Sequence, residues 1–201
     1  MSHTRTGLVG RALARFAGGA GAAGARGAPL VWSALVLCAA AAVPGAVLVV
    51  APSAEPGQHG VVHGRVVDRR GAPVSGARLH VYQTDATGSY TRERAMDEPH
   101  ARLAGWVACD DSGRFELRTI RPGGYPKALR LGDRERHIPA HIHLDLELAG
   151  RAGHHWQAVF ADDTLLTDPY WRDWVRRLGQ PVLAARVARG RWDATLVLVA
   201  E

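Results

Sequence analysis

The sequence predicts an all-β domain, a two-sheet β-sandwich, with an N-terminal transmembrane or signal helix before it and one short C-terminal helix. Three observations predict this. After residue 54 the chain consists of short alternating segments, turn-forming residues separate these segments, and a charge-free apolar run precedes them. The expected organisation is a basic leader over residues 1–28, a membrane segment over residues 29–52 and the sandwich over residues 55–201.

The leader is rich in Gly, Ala and Arg and has no periodicity, so we expect residues 1–28 to be disordered. It carries four arginines and no acid, which leaves the rest of the chain with only about +2 of the formal net charge of +6. Nucleic-acid binding needs basic residues clustered on one face, and this distribution predicts no such partner.

The apolar run over residues 29–52 contains no charged residue and is long enough to cross a bilayer as a helix. Arginines precede it and the first acid, Glu55, follows it, which predicts a cytoplasmic N-terminus and an extracytoplasmic domain. Pro44 and Gly45 interrupt the run, and the small residues at 49–51 offer a place for signal peptidase to cut. A retained anchor, which the length of the run favours, and a secreted form both stay open.

Seven segments after residue 60 combine alternating polarity with strand-forming residues, and each predicts a strand. Clusters of Gly, Pro, Asp and Ser at residues 70–73, 110–113 and 121–124 predict turns between them. One helix is expected over residues 168–178, because Asp168 and Pro169 open it and Gly179 closes it. The predicted strands cover residues 61–68, 77–84, 103–109, 114–119, 140–148, 155–161 and 193–199.

The segment over residues 139–148 contains a His-x-His pair. Strand residues two apart share a face, so His141 and His143 stand side by side, at a suitable distance to grip one metal ion. The alternative is an ordinary polar outer face that continues through Asp145 and Glu147. The residues of the opposite face are expected in the sandwich core: Ile142, Leu144, Leu146 and Leu148.

Two tyrosines precede this pair in turn-forming surroundings. Tyr90 follows Gly88 and Ser89, and Tyr125 lies between a Pro-Gly-Gly sequence and Pro126. A tyrosine in such a turn is ordinarily a surface or packing residue. Here both tyrosines precede the His-x-His pair, and this order favours a shared site over two separate surface residues.

Four blocks of sequence carry a family resemblance: GRVVDRRGAPVSGARLHVYQTDATGSY, GWVACDDSGRFELRTIRPGGYP, IPAHIHLDL and WQAVFADDTL. In this order, over residues 64–166, they resemble the intradiol ring-cleavage dioxygenases, which include catechol 1,2-dioxygenase and protocatechuate 3,4-dioxygenase. The resemblance implies a β-sandwich that binds one Fe(III) per domain through the residues that match the family's ligands: Tyr90, Tyr125, His141 and His143. Ferric iron favours anionic oxygen and imidazole donors, which suits this set.

The resemblance also implies cleavage of a catechol-type aromatic by O2 between its two hydroxyl-bearing carbons. The substrate would displace Tyr125, which then accepts a substrate proton, and Gln157 matches a glutamine near the family's metal. Where well-studied members have an arginine three residues before the first histidine, this chain has Ile138. Three nearby arginines are candidates to reach the site in its place, Arg130, Arg134 and Arg136, but their spacing does not show that any of them does. The catechol's substituents stay open.

Two other functions stay open on the sequence. The blocks around residues 64–85 and 111–125 also resemble transthyretin-like sandwich modules, which bind without catalysis and need neither the His-x-His strand nor the two tyrosines. A different ion such as zinc is the second, although phenolates are unusual zinc ligands. Expected partners are a catechol, O2, the membrane through residues 29–52 and a second copy of the chain in a homo-oligomer.

Overall fold

The computed structural model describes residues 46–92, 98–127 and 136–200. Twelve strands, one α-helix and two short 3-10 helices, at Glu98–His100 and Thr164–Thr167, make up this part of the chain. The strands and the helix are β1 (Ala46–Val49), β2 (His59–Asp68), β3 (Ala77–Gln83), β4 (Leu103–Ala108), β5 (Arg114–Ile120), β6 (Tyr125–Lys127), β7 (Arg136–Ile138), β8 (His141–Leu148), β9 (Arg151–Phe160), α1 (Pro169–Arg177), β10 (Val182–Leu183), β11 (Arg186–Ala188) and β12 (Arg191–Ala200).

Two five-stranded sheets form the sandwich. The first has the order β1-β5-β2-β12-β11 and the second has the order β10-β9-β8-β3-β4, while β6 and β7 pair separately. Both sheets are mixed, since β12 runs parallel to β2 in the first sheet and β10 runs parallel to β9 in the second. All seven predicted strands are present, and with them the predicted two-sheet sandwich.

The core lies between the two sheets and follows the alternation of the strands. In β12 every second residue, from Trp192 to Ala200, is buried, and the residues between them are exposed. The first sheet supplies residues such as Phe115 and Leu196, and the second supplies residues such as Leu79 and Leu144. Burial of this apolar surface is the main stabilising contribution to the fold.

Strand β8 turns its apolar face to this core, as its alternation predicts. Ile142, Leu144 and Leu146 are all buried. The prediction for Leu148 is wrong, because this side chain is 40% exposed. The ladder with β9 shifts register after Asp145, and Leu148 pairs with Arg151 at the hairpin end, beyond the cover of the first sheet.

Strand β1 corrects the predicted boundary between membrane segment and domain. Ala46–Val49 pairs in parallel with β5, and the next two residues, Val50 and Ala51, are buried in the sandwich core. The C-terminal end of the predicted 29–52 helix is therefore a strand of the domain, which begins at residue 46 or earlier rather than at residue 55. Residues 1–28 and 29–45 lie outside the described residues, so the leader and the membrane helix stay predictions.

Helix α1 has the predicted boundaries to within one residue. Asp168 is its N-cap and accepts a hydrogen bond from the backbone N–H of Tyr170 at 2.8 Å, and Pro169 is the first helical residue. Gly179 follows the helix with φ of +59°, a conformation that glycine adopts without strain. Within the residues that the structure describes, no helix is both long enough and apolar enough to span a membrane.

Candidate metal centre

The outer face of the second sheet carries the two predicted histidines. His141 and His143 occupy the first and third positions of β8, on the face opposite to Leu144, and are 4% and 2% exposed. A carboxylate holds the start of this strand, because Asp163 accepts the backbone N–H of Ala140 at 2.8 Å. The other oxygen of Asp163 caps the following 3-10 helix at Leu165. The histidines are thus built on a rigid ladder.

The loop that carries Tyr90 is fixed by Asp85 and Arg102. Asp85 accepts the backbone N–H groups of Thr87 and Ser89 at 2.9 and 3.1 Å, which closes the turn before the tyrosine. The guanidinium of Arg102 donates to Asp85 at 3.1 Å and its backbone N–H donates to the carbonyl of Tyr90 at 2.9 Å. Arg102 also makes a two-pronged ion pair with Glu55, at 2.6 and 2.7 Å.

The loop that carries Tyr125 contacts the loop that carries Tyr90, and the two backbones touch directly. A Cβ on Gly88, whose φ is +86°, would lie 2.4 Å from the carbonyl oxygen of Gly124. A Cβ on Gly123 would lie 2.5 Å from the backbone nitrogen of Gly88. Glycine is required at both contacts, because any side chain would push the two loops apart. This close approach brings the two tyrosine side chains together.

The four predicted residues meet through their polar atoms, and we call them the tyrosine–histidine cluster: Tyr90, Tyr125, His141 and His143. The Tyr90 hydroxyl lies 2.9 Å from Nε2 of His143 and 3.1 Å from the Tyr125 hydroxyl. The Nε2 atoms of His141 and His143 are 2.9 Å apart. Nδ1 of His141 donates to the carbonyl oxygen of Pro139 at 2.7 Å, so Nε2 of this ring keeps its lone pair.

Burial raises the pKa of both tyrosines of the cluster. For Tyr90 the loss of hydration is the largest cause, and the hydrogen bond with Tyr125 adds to it. Burial is also the cause of the raised pKa of Tyr125. In the metal-free protein both side chains are therefore neutral phenols at neutral pH. Phenolates at this position require a cation that replaces the protons.

The donor set fits a single transition-metal ion. Atoms that bind one such ion at about 2.1 Å, at right angles to each other, lie about 3 Å apart. The three contacts within the cluster are 2.9 to 3.1 Å long. Among the described residues no three His, Cys, Asp or Glu side chains converge as a metal site, so an ion at this cluster depends on the tyrosines. Two phenols and two imidazoles favour ferric iron over zinc.

An apolar and aromatic layer covers the cluster. Ile138 and Trp171, from β7 and α1, are buried against Tyr90 and Tyr125. Arg136, one of the three candidates for the place of the missing arginine, is engaged elsewhere, since its guanidinium bonds Asp168 at 3.2 Å and lies over the ring of Tyr170. The two other candidates, at positions 130 and 134, lie outside the described residues.

Gln157 lies beside the cluster. It pairs with His143 across the β8–β9 ladder and so shares its face of the sheet. Its side-chain Nε2 contacts Nε2 of His155 at 3.3 Å, and its backbone N–H donates to the side chain of Gln180 at 2.6 Å. His155 in turn bonds Asp145, and this bond raises its pKa. Gln157 thus adjoins the cluster as the cross-strand neighbour of His143, and its side chain contacts His155.

Two residues near the cluster escaped the sequence-based prediction. The ring of Tyr82 stacks on that of His143 with centroids 4.2 Å apart and planes 9° apart. Its hydroxyl donates to Glu98 at 3.2 Å, and Glu98 lies 3.9 Å from Nδ1 of His143. The alternation of β3 places Tyr82 on the outer face and could have indicated it. Glu98 begins a 3-10 helix of three residues, which no sequence pattern marks.

A family model described as Dioxygenase matches residues 37–189, about three quarters of the chain. The match begins before β1, in agreement with the position of this strand in the sandwich. Catechol 1,2-dioxygenase of Candida albicans is 34% identical over 90 residues, which are 41% of this chain and 30% of the relative. The protocatechuate 3,4-dioxygenase beta chain of Burkholderia cepacia is 35% identical over 94 residues, 45% of this chain and 39% of the relative. The chain thus spans about a third of the length of these curated relatives.

Solved structures show the same similarity. The dioxygenase domain of a dioxygenase carbohydrate-binding protein fusion from Streptomyces sp. SirexAA-E superposes with a TM-score of 0.57 at 25% identity, over 78% of this chain and 89% of that one. Hydroxyquinol 1,2-dioxygenase from Pseudomonas putida DLL-E4 superposes with a TM-score of 0.58 at 26% identity, over 79% of this chain and 61% of that one.

Proposed function

This chain belongs to the intradiol ring-cleavage dioxygenases, and from that membership we propose that it opens a catechol-type ring between its two hydroxyl-bearing carbons, using ferric iron and O2. The observation that carries the proposal is the meeting of two phenols and two imidazoles within 2.9 to 3.1 Å in a buried cluster. A structural role alone does not require four polar side chains to converge away from water.

The residues proposed to hold the iron are Tyr90, Tyr125, His141 and His143. His141 is prepared for this role, because its Nδ1–H is bonded to Pro139 and its Nε2 faces the cluster. When bound, Fe(III) would keep the phenolates deprotonated and polarise a chelating catechol for attack by O2.

Tyr125 is the proposed proton acceptor. It begins β6, which among the described residues pairs with the three residues of β7 alone, whereas the two histidines lie on a strand paired on both sides. A residue on a short two-stranded ladder moves more easily than one in the middle of a sheet. Tyr125 can therefore leave its position when a catechol arrives, and its phenolate oxygen can take up a hydroxyl proton of the substrate.

The layer around the cluster excludes water from the reacting groups. Ile138 and Trp171 are 8% and 4% exposed, and both pack on the tyrosines. Exclusion of water strengthens the electrostatic interactions inside the site. Ile138 brings no charge to this layer, so negative charge on the bound ring would be stabilised by the metal and by nearby hydrogen-bond donors, among which we include Gln157.

The experiment that tests the proposal uses the full chain loaded with Fe(III). We expect a tyrosinate absorption band in the visible range, O2 uptake with a catechol, and a cis,cis-muconate-type product that contains both atoms of O2. Tyr125→Phe should keep iron but lose most turnover, whereas Tyr170→Phe, which removes a hydroxyl of the covering layer, should stay active. A chain that binds no iron and remains colourless would favour the transthyretin-like module, and iron binding without cleavage of any catechol would contradict the enzyme.

We also propose that the domain works outside the cytoplasm, tethered or released by residues 29–45. The support is the charge-free run behind four arginines. A reporter that is active only in the cytoplasm, fused after Glu201, should give no signal, and strong activity would contradict this location.

Assembly into a homo-oligomer is a further proposal, which the molar mass of the purified chain in solution would test.

A further inference from the structure

A cleft of about 580 Å³ opens on the outer face of the second sheet, beside the tyrosine–histidine cluster. Its lining includes Tyr82, Glu98, Ala101 and Asp145. Tyr82, which lines the cleft, stacks on His143 with ring centroids 4.2 Å apart. Ala101 lines the cleft and also packs against the buried tyrosines. The cleft therefore adjoins the tyrosine–histidine cluster.

Two carboxylates line this cleft, Glu98 and Asp145, and among the described residues its lining has no lysine or arginine. Asp145 is bonded to His155, whose pKa this bond raises, and lies 3.6 Å from His80, which also lines the cleft. The negative charge that a substituent meets in the cleft is therefore mainly that of Glu98. Glu98 is the nearer to the cluster, since its carboxylate lies 3.9 Å from Nδ1 of His143 and accepts the hydroxyl of Tyr82.

The other side of the cluster offers no described cation. Ile138 and Trp171 present apolar and aromatic surface there. Arg136, on the same strand as Ile138, is engaged with Asp168 and Tyr170. A carboxylate on the substrate would thus lose hydration without gaining a partner among the described residues, and it would face Glu98 as a like charge.

We infer that the site selects catechols with a neutral or cationic substituent against catechols with a carboxylate, and that Glu98 determines this selection. The inference rests on the proposed function, since it deepens the substrate class of the same site. A substituent that lies in the cleft places an ammonium group, or a carboxylate, within several ångströms of Glu98. At such a distance one charge pair changes affinity by about tenfold in a partly solvated site.

The test compares three catechols of similar size at pH 7, with the full iron-loaded chain in detergent. The probes are 4-(2-aminoethyl)catechol, 4-methylcatechol and 3,4-dihydroxybenzoate, which are cationic, neutral and anionic. Calorimetry measures the dissociation constant of each, and O2 uptake measures kcat/KM. The variants are Glu98→Gln and, as a matched control, Glu147→Gln, which removes a carboxylate of β8 that pairs with Arg78 outside the cleft.

We expect the wild-type chain to bind the cationic and neutral probes at least tenfold more tightly than the anionic one, on the estimate above. Glu98→Gln should reduce this preference about tenfold, and Glu147→Gln should leave it unchanged. Equal or tighter binding of 3,4-dihydroxybenzoate, an unchanged preference in Glu98→Gln, or no binding of any probe would overturn the inference. Binding in the expected order without O2 uptake would support it and contradict the proposed enzyme instead.

Discussion

Iron uptake by the tyrosine–histidine cluster should release two protons, and Tyr90→Phe should reduce the number to one. The two phenols are buried and their pKa values are raised, so both are protonated in the metal-free chain at neutral pH. His141 contributes no proton, because its Nδ1–H stays hydrogen-bonded to the carbonyl oxygen of Pro139 and its Nε2 already has a free lone pair for the metal. His143 can bind through Nε2 with its remaining proton on Nδ1.

The sign of the pH dependence follows from this count. Since the metal competes with protons for the phenolate oxygens, iron affinity should rise with pH, by about 100-fold per pH unit for two protons and about tenfold for one. Calorimetric titration with a ferric chelate, in buffers with different enthalpies of ionisation, measures the number of protons directly. Titration of the chelate alone corrects for the protons that the chelator takes up.

Tyr170→Phe is the control for this experiment, because Tyr170 lies in the covering layer and makes no described hydrogen bond to the cluster through its hydroxyl. This variant should release two protons like the wild-type chain. Release of the same number by Tyr90→Phe and the wild type would show that Tyr90 does not bind as a phenolate, and the reasoning about the donor set would then be wrong.

Two further predictions concern the surroundings of the cluster. Leu144→Ala should lower the free energy of unfolding by about 2–5 kcal/mol in denaturant titrations, because the side chain is fully buried between the sheets, whereas Leu148→Ala on the same strand should cost less than about 1 kcal/mol. An equal loss for both would contradict the described burial. Ile138→Arg should lower Tm, since it buries a charge, yet tighten catechol binding by the loaded chain through attraction to the bound dianion. The matched control is Ile138→Val, and weaker catechol binding by the arginine variant would refute the expectation.

The strands and the helix could be predicted because their signals are local. Alternation over five to ten residues identifies a strand with one buried face, and the residues Asp168, Pro169 and Gly179 mark both ends of the helix. Two-residue and three-residue strands such as β10 and β11 carry no such period. Strand β1 was hidden, because Ala46–Val49 lies inside a longer apolar run in which no residue alternates with a polar one.

The cluster itself was predictable only in part. The shared face of His141 and His143 follows from the strand period, but the two tyrosines come from loops whose approach depends on contacts between glycines far apart in the chain. Residues 88 and 124 are in contact in the structure, but no pattern in the sequence links them. The same reason explains why Glu98 was missed, since its distance to His143 depends on the fold of the four strands between them, β4 to β7.

If the predicted signal segment is cleaved, strand β1 restricts where and when the cut can occur. Val50 and Ala51, where a signal peptidase has small residues to recognise, are 4% and 3% exposed once the sandwich has formed. A protease needs an extended and accessible segment, so the folded domain would protect this junction from cleavage. A cut at the junction would therefore have to precede folding, and it would leave the edge of β5 without its partner strand β1. Residues 46–51 can therefore either be cut before folding or be built into the sandwich, but not both. A cut before Ala46 would leave the folded domain complete.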